Sequence, residues 1–565
     1  MVRNTPESLR QRSSNLSLRM AAATSSATRL SSFTNPAEFE TKPTMSEAEK
    51  AFIVGDLGDL RSLTLCDSCY RDIPESRTGS TLLQLTDKQS SCSVCMVRLS
   101  KPEAYTQPFC SFLQENPTIF HAVNYFKRKM EPLGYKELPA RDDWSSKIEA
   151  GGKYFVTRNG SSIIAFTVGK AYNPGNGVAI IAGHIDALTA KLKPVSKKPN
   201  KEGYLQLGVA QYAGGLNETW WDRDLSIGGR VIVRDETGKT SSKLVKLDWP
   251  IARIPTLAPH FGVGMMGQNN KETQAVPIIG LEGSNSSAGD SEPLGPVGSF
   301  VATQSPKLVK LITNELGLQS HTQIVNWELE LFDLQPATVG GIDKEFIFAG
   351  RIDDKLCSWA AFQGLLASDH KDDDGTIKLV ALYDDEEIGS LLRQGAKGNF
   401  LPSVIERTVE ALCSESNKTF GPGLIGQTYS NSFLVSADVT HAINPNFASK
   451  YLDDHAPRLN VGICICQDSN GHMTTDSVST AILARVCELS DCTPQIFQIR
   501  NDSRSGGTVG PSISSMLGVR AADAGMPQLS MHSIRATCGA LDPGLGAKFF
   551  KGFLDKWEMV DAEWQ

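Results

Sequence analysis

The 565-residue chain has no uninterrupted apolar run near the ~18 to 20 residues that a membrane-crossing helix needs. Nor does an apolar core follow the early arginines, as a secretory signal would require. Positive charge is in deficit, with 56 Lys and Arg against 63 Asp and Glu. A net charge of -7 offers no basic face on which phosphates would release counterions, which argues against a nucleic-acid partner. Cysteine is sparse, 12 residues spread over the whole length, so no dense disulfide framework is expected and the composition suits a reducing compartment. A cytosolic start is the expectation.

Four of those cysteines do stand together. Cys66 and Cys69 form one CxxC, and Cys92 and Cys95 form another, close to the spacing of a four-thiolate zinc site. The Ser-, Thr- and Gly-rich stretch between them equally suits ordinary thiols in an unstructured extension, and both readings stay open. Residues 1 to about 45 hold one acidic residue, Glu7, before Glu38, and are dominated by Ser, Thr, Ala and Arg. Such a segment buries too little apolar surface to fold alone. Arg3, Arg10, Arg12, Arg19 and Arg29 among hydroxyls also fit an organelle transit peptide.

From about residue 105 the texture becomes globular. Phe109, Phe112, Leu113, Phe120, Val123 and Phe126 recur at helical spacing, interrupted by Pro117. Short apolar runs then alternate with helical patterns, as at 178–182, 377–383, 433–437 and 463–466. That alternation predicts an α/β fold with a mostly parallel central sheet flanked by helices. The stretch 201–337 is richer in Gly and Pro with alternating segments such as 230–234, and reads as a β-rich insertion. Its Ser, Gly and Asn cluster, 283–290, reads as a loop. The expected division is 1–104 extension, 105–200 and 338–565 two parts of one catalytic domain, and 201–337 the insertion.

Several apolar runs end in metal-binding side chains, and in open α/β sheets the ligand crevice lies at strand carboxyl ends. VAIIAGHID supplies His184 and Asp186, and EFIFAGRIDD supplies Asp353 and Asp354. IKLVALYDDEE supplies Asp384, Asp385, Glu386 and Glu387; SFLVSAD supplies Asp438; MPQLSMHS supplies His532. Each alone has a plainer reading: a polar strand end, a solvated acidic turn, or a cap for the helix over KLCSWAAFQGLL. Together, histidines with many carboxylates suit zinc or manganese. Four adjacent carboxylates repel one another strongly, and bound cations would relieve that repulsion. Two metals sharing a bridging carboxylate can polarise a peptide carbonyl and acidify a bound water, with a further carboxylate as base. Glu386 and Glu387, as sequence neighbours pointing apart, can divide the roles of ligand and base. Asp186 can accept the His184 imidazole N–H and fix its tautomer. The segment SRSGGTVGP, with Gly506, Gly507 and Thr508, offers backbone groups to a peptide or forms a plain turn; with no GK[ST] after it, it is not a phosphate loop.

AGHIDALTAKLKPVS, LNETWWDRDLSIGGR, RIDDKLCSWAA, LYDDEEIGSLLRQGAKG, DSNGHMTTDSVSTA and QLSMHSIRATCGA carry a resemblance to the M18 metalloaminopeptidases, closest to the fungal vacuolar aminopeptidase I branch. The likeness runs from about residue 105 to the C-terminus. It implies a zinc-peptidase-like fold with two Zn²⁺ per subunit, held by His184, Asp353, Glu387, Asp438 and His532, with Asp353 bridging. It makes Glu386 the general base. It implies that the insertion is a dimerisation domain, that dimers assemble into a dodecamer, that His260 reaches a neighbouring subunit's site, and that His441 lines the substrate pocket. A vacuolar destination reached from the cytosol through a selective-autophagy receptor follows from the same branch; cytoplasm or mitochondrion are the alternatives.

Aspartyl aminopeptidases of this family carry a lysine in a VIKVN strand. The corresponding segment here is ICICQDSNGHM, which places Cys466 at that lysine. Loss of the cation predicts neutral or hydrophobic N-terminal residues, leucine foremost. The competing expectations are an aspartyl aminopeptidase in the cytosol, an inactive oligomeric scaffold or autophagy cargo, and a metal-dependent deacylase that needs no free amino group.

Overall fold

The computed structural model describes residues 101–261, 269–283, 293–414 and 416–564. The extension through residue 100, with both CxxC pairs, and positions 284–290 of the Ser- and Gly-rich loop lie outside the described residues. A nine-stranded sheet forms the centre, and its four inner strands, Ile377–Tyr383, Val178–His184, Phe433–Ser436 and Arg520–Gly525, run parallel. Ser162–Val168 joins antiparallel on one side and Cys464–Gln467 antiparallel on the other, so the sheet is mixed around a parallel centre.

The inner strands are rich in apolar residues because both faces are covered, and the cations they carry are paired, Lys378 with Asp374 and Asp555 and Arg520 with Asp561. Successive side chains point to opposite faces. Thus Ala179 and Ile181 join one core with Trp359, Phe362, Phe550 and Phe553 of helices Ile352–Ala367 and Asp542–Ala562. Val178, Ile180 and Ala182 join the other, with Phe400, Val404 and Ile405 of helix Phe400–Cys413. Each fully buried Ile or Phe stabilises the fold by about 1.5–3 kcal/mol, enough to fix strand register, since a one-residue slip would exchange the two faces. The helical rhythm at the start of the folded region forms two helices, Thr106–Glu115 and Ile119–Met130, broken around Pro117. A proline removes a helix donor and disfavours helical backbone in the residue before it.

A second, six-stranded sheet takes its strands from Thr189 to Asp333 and has a core of its own, including Ile227, Val231, Trp327 and Leu329. It starts ahead of residue 201 because Thr189–Lys197 pairs with Tyr204–Tyr212 rather than with the central sheet. Two of the segments that lead to candidate metal-binding residues lie outside the central sheet: Phe346–Ala349 belongs to a three-stranded sheet and Pro527–Gln528 to a two-stranded one. Among the described residues no helix is long and apolar enough to cross a membrane.

Candidate metal centre

Parallel pairing sets Tyr383 opposite His184, and the Ala437 N–H donates to the Ala182 carbonyl at 2.7 Å. Three strand ends therefore deliver His184, the 384–387 run and Asp438 side by side. Asp353 comes from the start of helix Ile352–Ala367, and His532 from the loop after Pro527–Gln528. Asp353 Oδ1 lies 3.4 Å from His184 Nε2, and its Oδ2 lies 3.6 Å from His532 Nε2. Asp438 Oδ1 is 3.7 Å and Glu386 Oε2 3.9 Å from His184 Nε2, while Glu387 Oε2 is 3.6 Å from His532 Nε2. The donor atoms form two groups, His184 with Glu386 and Asp438, and Asp353 with Glu387 and His532, each drawn within 4.8 Å.

The residues around this cluster fix its geometry. Asp186 lies just beyond the end of its strand, yet Oδ1 remains 3.2 Å from His184 Nδ1. Ser358 Oγ donates to the His184 carbonyl at 2.6 Å. Lys355 Nζ donates to the Ile185 carbonyl at 2.9 Å. Asp354 does not cap its helix: Oδ1 accepts the Val439 N–H and Oδ2 the His184 N–H, tying two strand ends together. Glu386 and Glu387 sit on a short 3-10 turn, Glu386–Ile388, rather than on the strand itself. The turn follows Asp385, whose φ of 64° is left-handed.

Electrostatics favour a cation here. Burial, and then repulsion from Asp438, Asp186 and Asp353, pushes the Glu386 carboxyl up to about 8 against the attraction of His184. Burial, and then Asp353, pushes Glu387 up to about 10. Burial alone would lower the His184 pKa, but the neighbouring carboxylates of Asp186, Asp353 and Asp438 outweigh that and hold it well above the ordinary imidazole range. Burial opposes ionisation of Asp186 too, yet the donors His184, Tyr212 and the Glu387 N–H keep its pKa below the usual value. Proton uptake is one relief for such crowding, and divalent cations are another. Glu387 Oε1 is buried without any hydrogen-bond partner, as expected of an oxygen with a ligand role. Two imidazoles, several carboxylates and a carboxylate facing both histidines fit a pair of zinc ions.

The other candidate residues lie around or apart from this cluster. His441 is within electrostatic reach of Asp353 and His532, and its ring centroid is 5.9 Å from that of Phe497. Thr508 is anchored by its hydroxyl to Asp523 Oδ1 at 2.5 Å and caps helix Val509–Leu517. Gly506 and Gly507 are exposed, with open space around them. His260 is exposed on the turn Pro259–Phe261, its ring stacked on Phe261 and outside the cavity that Asp353, Glu387 and His532 line. Tyr212, absent from any motif, donates its hydroxyl to Asp186 Oδ2 at 2.7 Å. Its stretch, YLQLGVAQY, carries no mark separating it from an ordinary edge-of-core tyrosine.

The model of the aminopeptidase I zinc metalloproteases, M18, matches residues 112–554. The chain belongs to this family and is a metalloaminopeptidase. Vacuolar aminopeptidase 1 of Saccharomyces cerevisiae is 43% identical over 486 residues, covering 84% of this chain and 92% of its own length. Aspartyl aminopeptidase of Aspergillus oryzae is 41% identical, covering 79% and 94%. Among solved structures, Chaetomium thermophilum mApe1 is 65% identical with a TM-score of 0.77, covering 82% of this chain and all of that one. The S. cerevisiae mApe1 dodecamer is 39% identical with a TM-score of 0.72, covering 82% and 99%. A complex of Ape4 with Nbr1 is 38% identical with a TM-score of 0.76, covering 85% and 88%.

Proposed function

We propose that this metalloaminopeptidase removes neutral or hydrophobic N-terminal residues, leucine foremost, from peptides with two zinc ions per subunit. The supporting observation is Asp353, which turns one carboxylate oxygen toward each histidine. His184 and Asp438 would complete one position and Glu387 and His532 the other, with Asp353 shared. When bound, the ions supply Lewis acidity toward the scissile carbonyl and make an attacking water acidic enough to react near neutral pH. Glu386 takes the proton of that water and passes it to the leaving amine. Asp186 accepts the Nδ1 proton of His184 and so directs Nε2 inward.

Substrate preference rests on the surroundings of Cys466. Cys464, Cys466 and Phe497 are buried together, with Tyr451, Met473 and Ile499 packed against them, so position 466 holds a thiol among apolar side chains and not a lysine. The aspartyl reading draws on the 41% relative and on a neighbouring polar cavity lined by His472, Arg500 and Arg504. Arg500 is already paired with Asp502 at 2.8 Å, which weakens its claim on a substrate. Comparing leucyl and aspartyl anilides separates the two readings: faster leucyl hydrolysis is expected, and an aspartyl preference would overturn ours.

The insertion serves as dimerisation domain, and the assembly is a homododecamer in which His260 reaches a neighbouring site, with His441, Gly506, Gly507 and Thr508 lining the peptide's path. The mApe1 dodecamer supports the assembly. The vacuole is the destination suggested by the yeast relative, and a receptor of the Nbr1 kind is the delivering partner suggested by the Ape4 complex. Mass measurement of the native chain tests the assembly.

A further inference from the structure

The Asp186 carboxylate accepts four hydrogen bonds, two on each oxygen. Oδ1 lies 3.2 Å from His184 Nδ1 and accepts the Glu386 N–H at 3.2 Å; Oδ2 accepts the Glu387 N–H at 3.1 Å and the Tyr212 hydroxyl at 2.7 Å. Three of the four come from the metal centre's own strand ends and turn. The fourth comes from the inserted sheet, because Tyr212 ends strand Tyr204–Tyr212 and pairs with Thr189, where the chain leaves the site. Asp186 and Tyr212 are 4% and 8% exposed, so water has little access to replace the phenol. Lys191, from the next strand of the same sheet, sits 4.0 Å over the Tyr212 ring and limits its swing.

We infer that Tyr212 is a positioning residue for the zinc centre, acting through Asp186, and that the inserted sheet is thereby a working part of the site. The inference rests on the zinc aminopeptidase reading above. Two donors on each oxygen restrain this carboxylate's rotation more tightly than one on Oδ2 would. It fixes the His184 tautomer on one side and, through two backbone N–H groups, the turn carrying Glu386 and Glu387 on the other. Without the phenol, Oδ2 keeps a single donor and the carboxylate can turn. Ligand histidine and general base then lose registration together, although neither touches Tyr212.

The test is Tyr212→Phe in the full chain, which keeps the ring and its Lys191 contact while removing the hydroxyl. Zinc affinity is measured by competition with a chromogenic chelator, independently of turnover. It should weaken several-fold, short of the roughly 10- to 100-fold that losing a ligand's own partner, here Asp186, causes. On leucyl anilide kcat should fall more than KM rises, because the phenol acts through Asp186 on the ligand and base. Asp186→Asn supplies the second arm: if Tyr212 acts through Asp186, adding Tyr212→Phe to it should weaken zinc binding no further. Unchanged zinc affinity in Tyr212→Phe, or additive losses in the double variant, would overturn the inference while leaving the function reading intact. A wild-type chain that binds no zinc would overturn both.

Discussion

Asp353 Oδ1 lies 3.4 Å from His184 Nε2, a contact made between a helix start and a strand end. Its other oxygen faces His532, so in the proposed two-zinc site this one side chain would serve both positions. Asp353→Asn keeps the shape but exchanges an anionic oxygen for an amide nitrogen that cannot ligate. Zinc content per chain should fall and leucyl anilide activity should be abolished, while the fold persists. Elemental analysis beside circular dichroism checks this, and full zinc occupancy in the variant would refute the bridging role.

Glu386 is proposed as base rather than ligand even though Oε2 is 3.9 Å from His184 Nε2. Glu386→Gln distinguishes the roles. A lost base lowers kcat by ~10² to 10⁴-fold with zinc retained. A lost ligand lowers both. Retained zinc with near-normal kcat would assign the proton transfer to another group.

Ile180 is fully buried in a central strand, its side chain among those that meet helix Phe400–Cys413. Ile180→Ala should destabilise the chain by about 2–5 kcal/mol, since the rigid sheet relaxes little into the cavity. Urea unfolding measures it, and a change below about 1 kcal/mol would mean that the site collapses readily.

The core was legible in the sequence where burial on both faces makes a strand an unbroken apolar run, as at 178–182 in strand Val178–His184. Phe346–Ala349 follows the same compositional rule but pairs in a small sheet, because composition reports burial and not partner choice. His184, Asp353, Glu387, Asp438 and His532 were suspect as metal-binding types after apolar runs, and the resemblance to known enzymes singled them out. Tyr212 was not legible. Its importance comes from an Asp186 contact across two sheets, and nothing in its own strand signals that.

Cys466 offers a direct test of specificity. Cys466→Lys places a cation in the patch formed with Cys464 and Phe497. A hydrogen bond to a charged group contributes about 1.5–3 kcal/mol, so the ratio of aspartyl to leucyl hydrolysis should rise roughly tenfold or more. Burying the new ammonium opposes part of that gain. An unchanged ratio in a folded, zinc-loaded variant would place the determinant elsewhere.

His121 makes acid sensitivity predictable away from the metals. It sits on helix Ile119–Met130, with Nδ1 2.7 Å from the Thr118 hydroxyl oxygen. Burial, reinforced by the charges of Lys246 and Arg128, lowers its pKa from 6.5 to about 4. The folded protein therefore binds fewer protons here than the unfolded chain, so stability rises with pH across that interval. The contribution is fully present above about 6.5 and is lost as pH falls toward 4. His121→Gln has no proton to take up and should flatten this part of the profile. Urea midpoints for both proteins between pH 4 and 7 measure the difference. Parallel profiles would mean that His121 ionises in the fold as it does in the unfolded chain, and that the helix opens to water more readily than its packing implies.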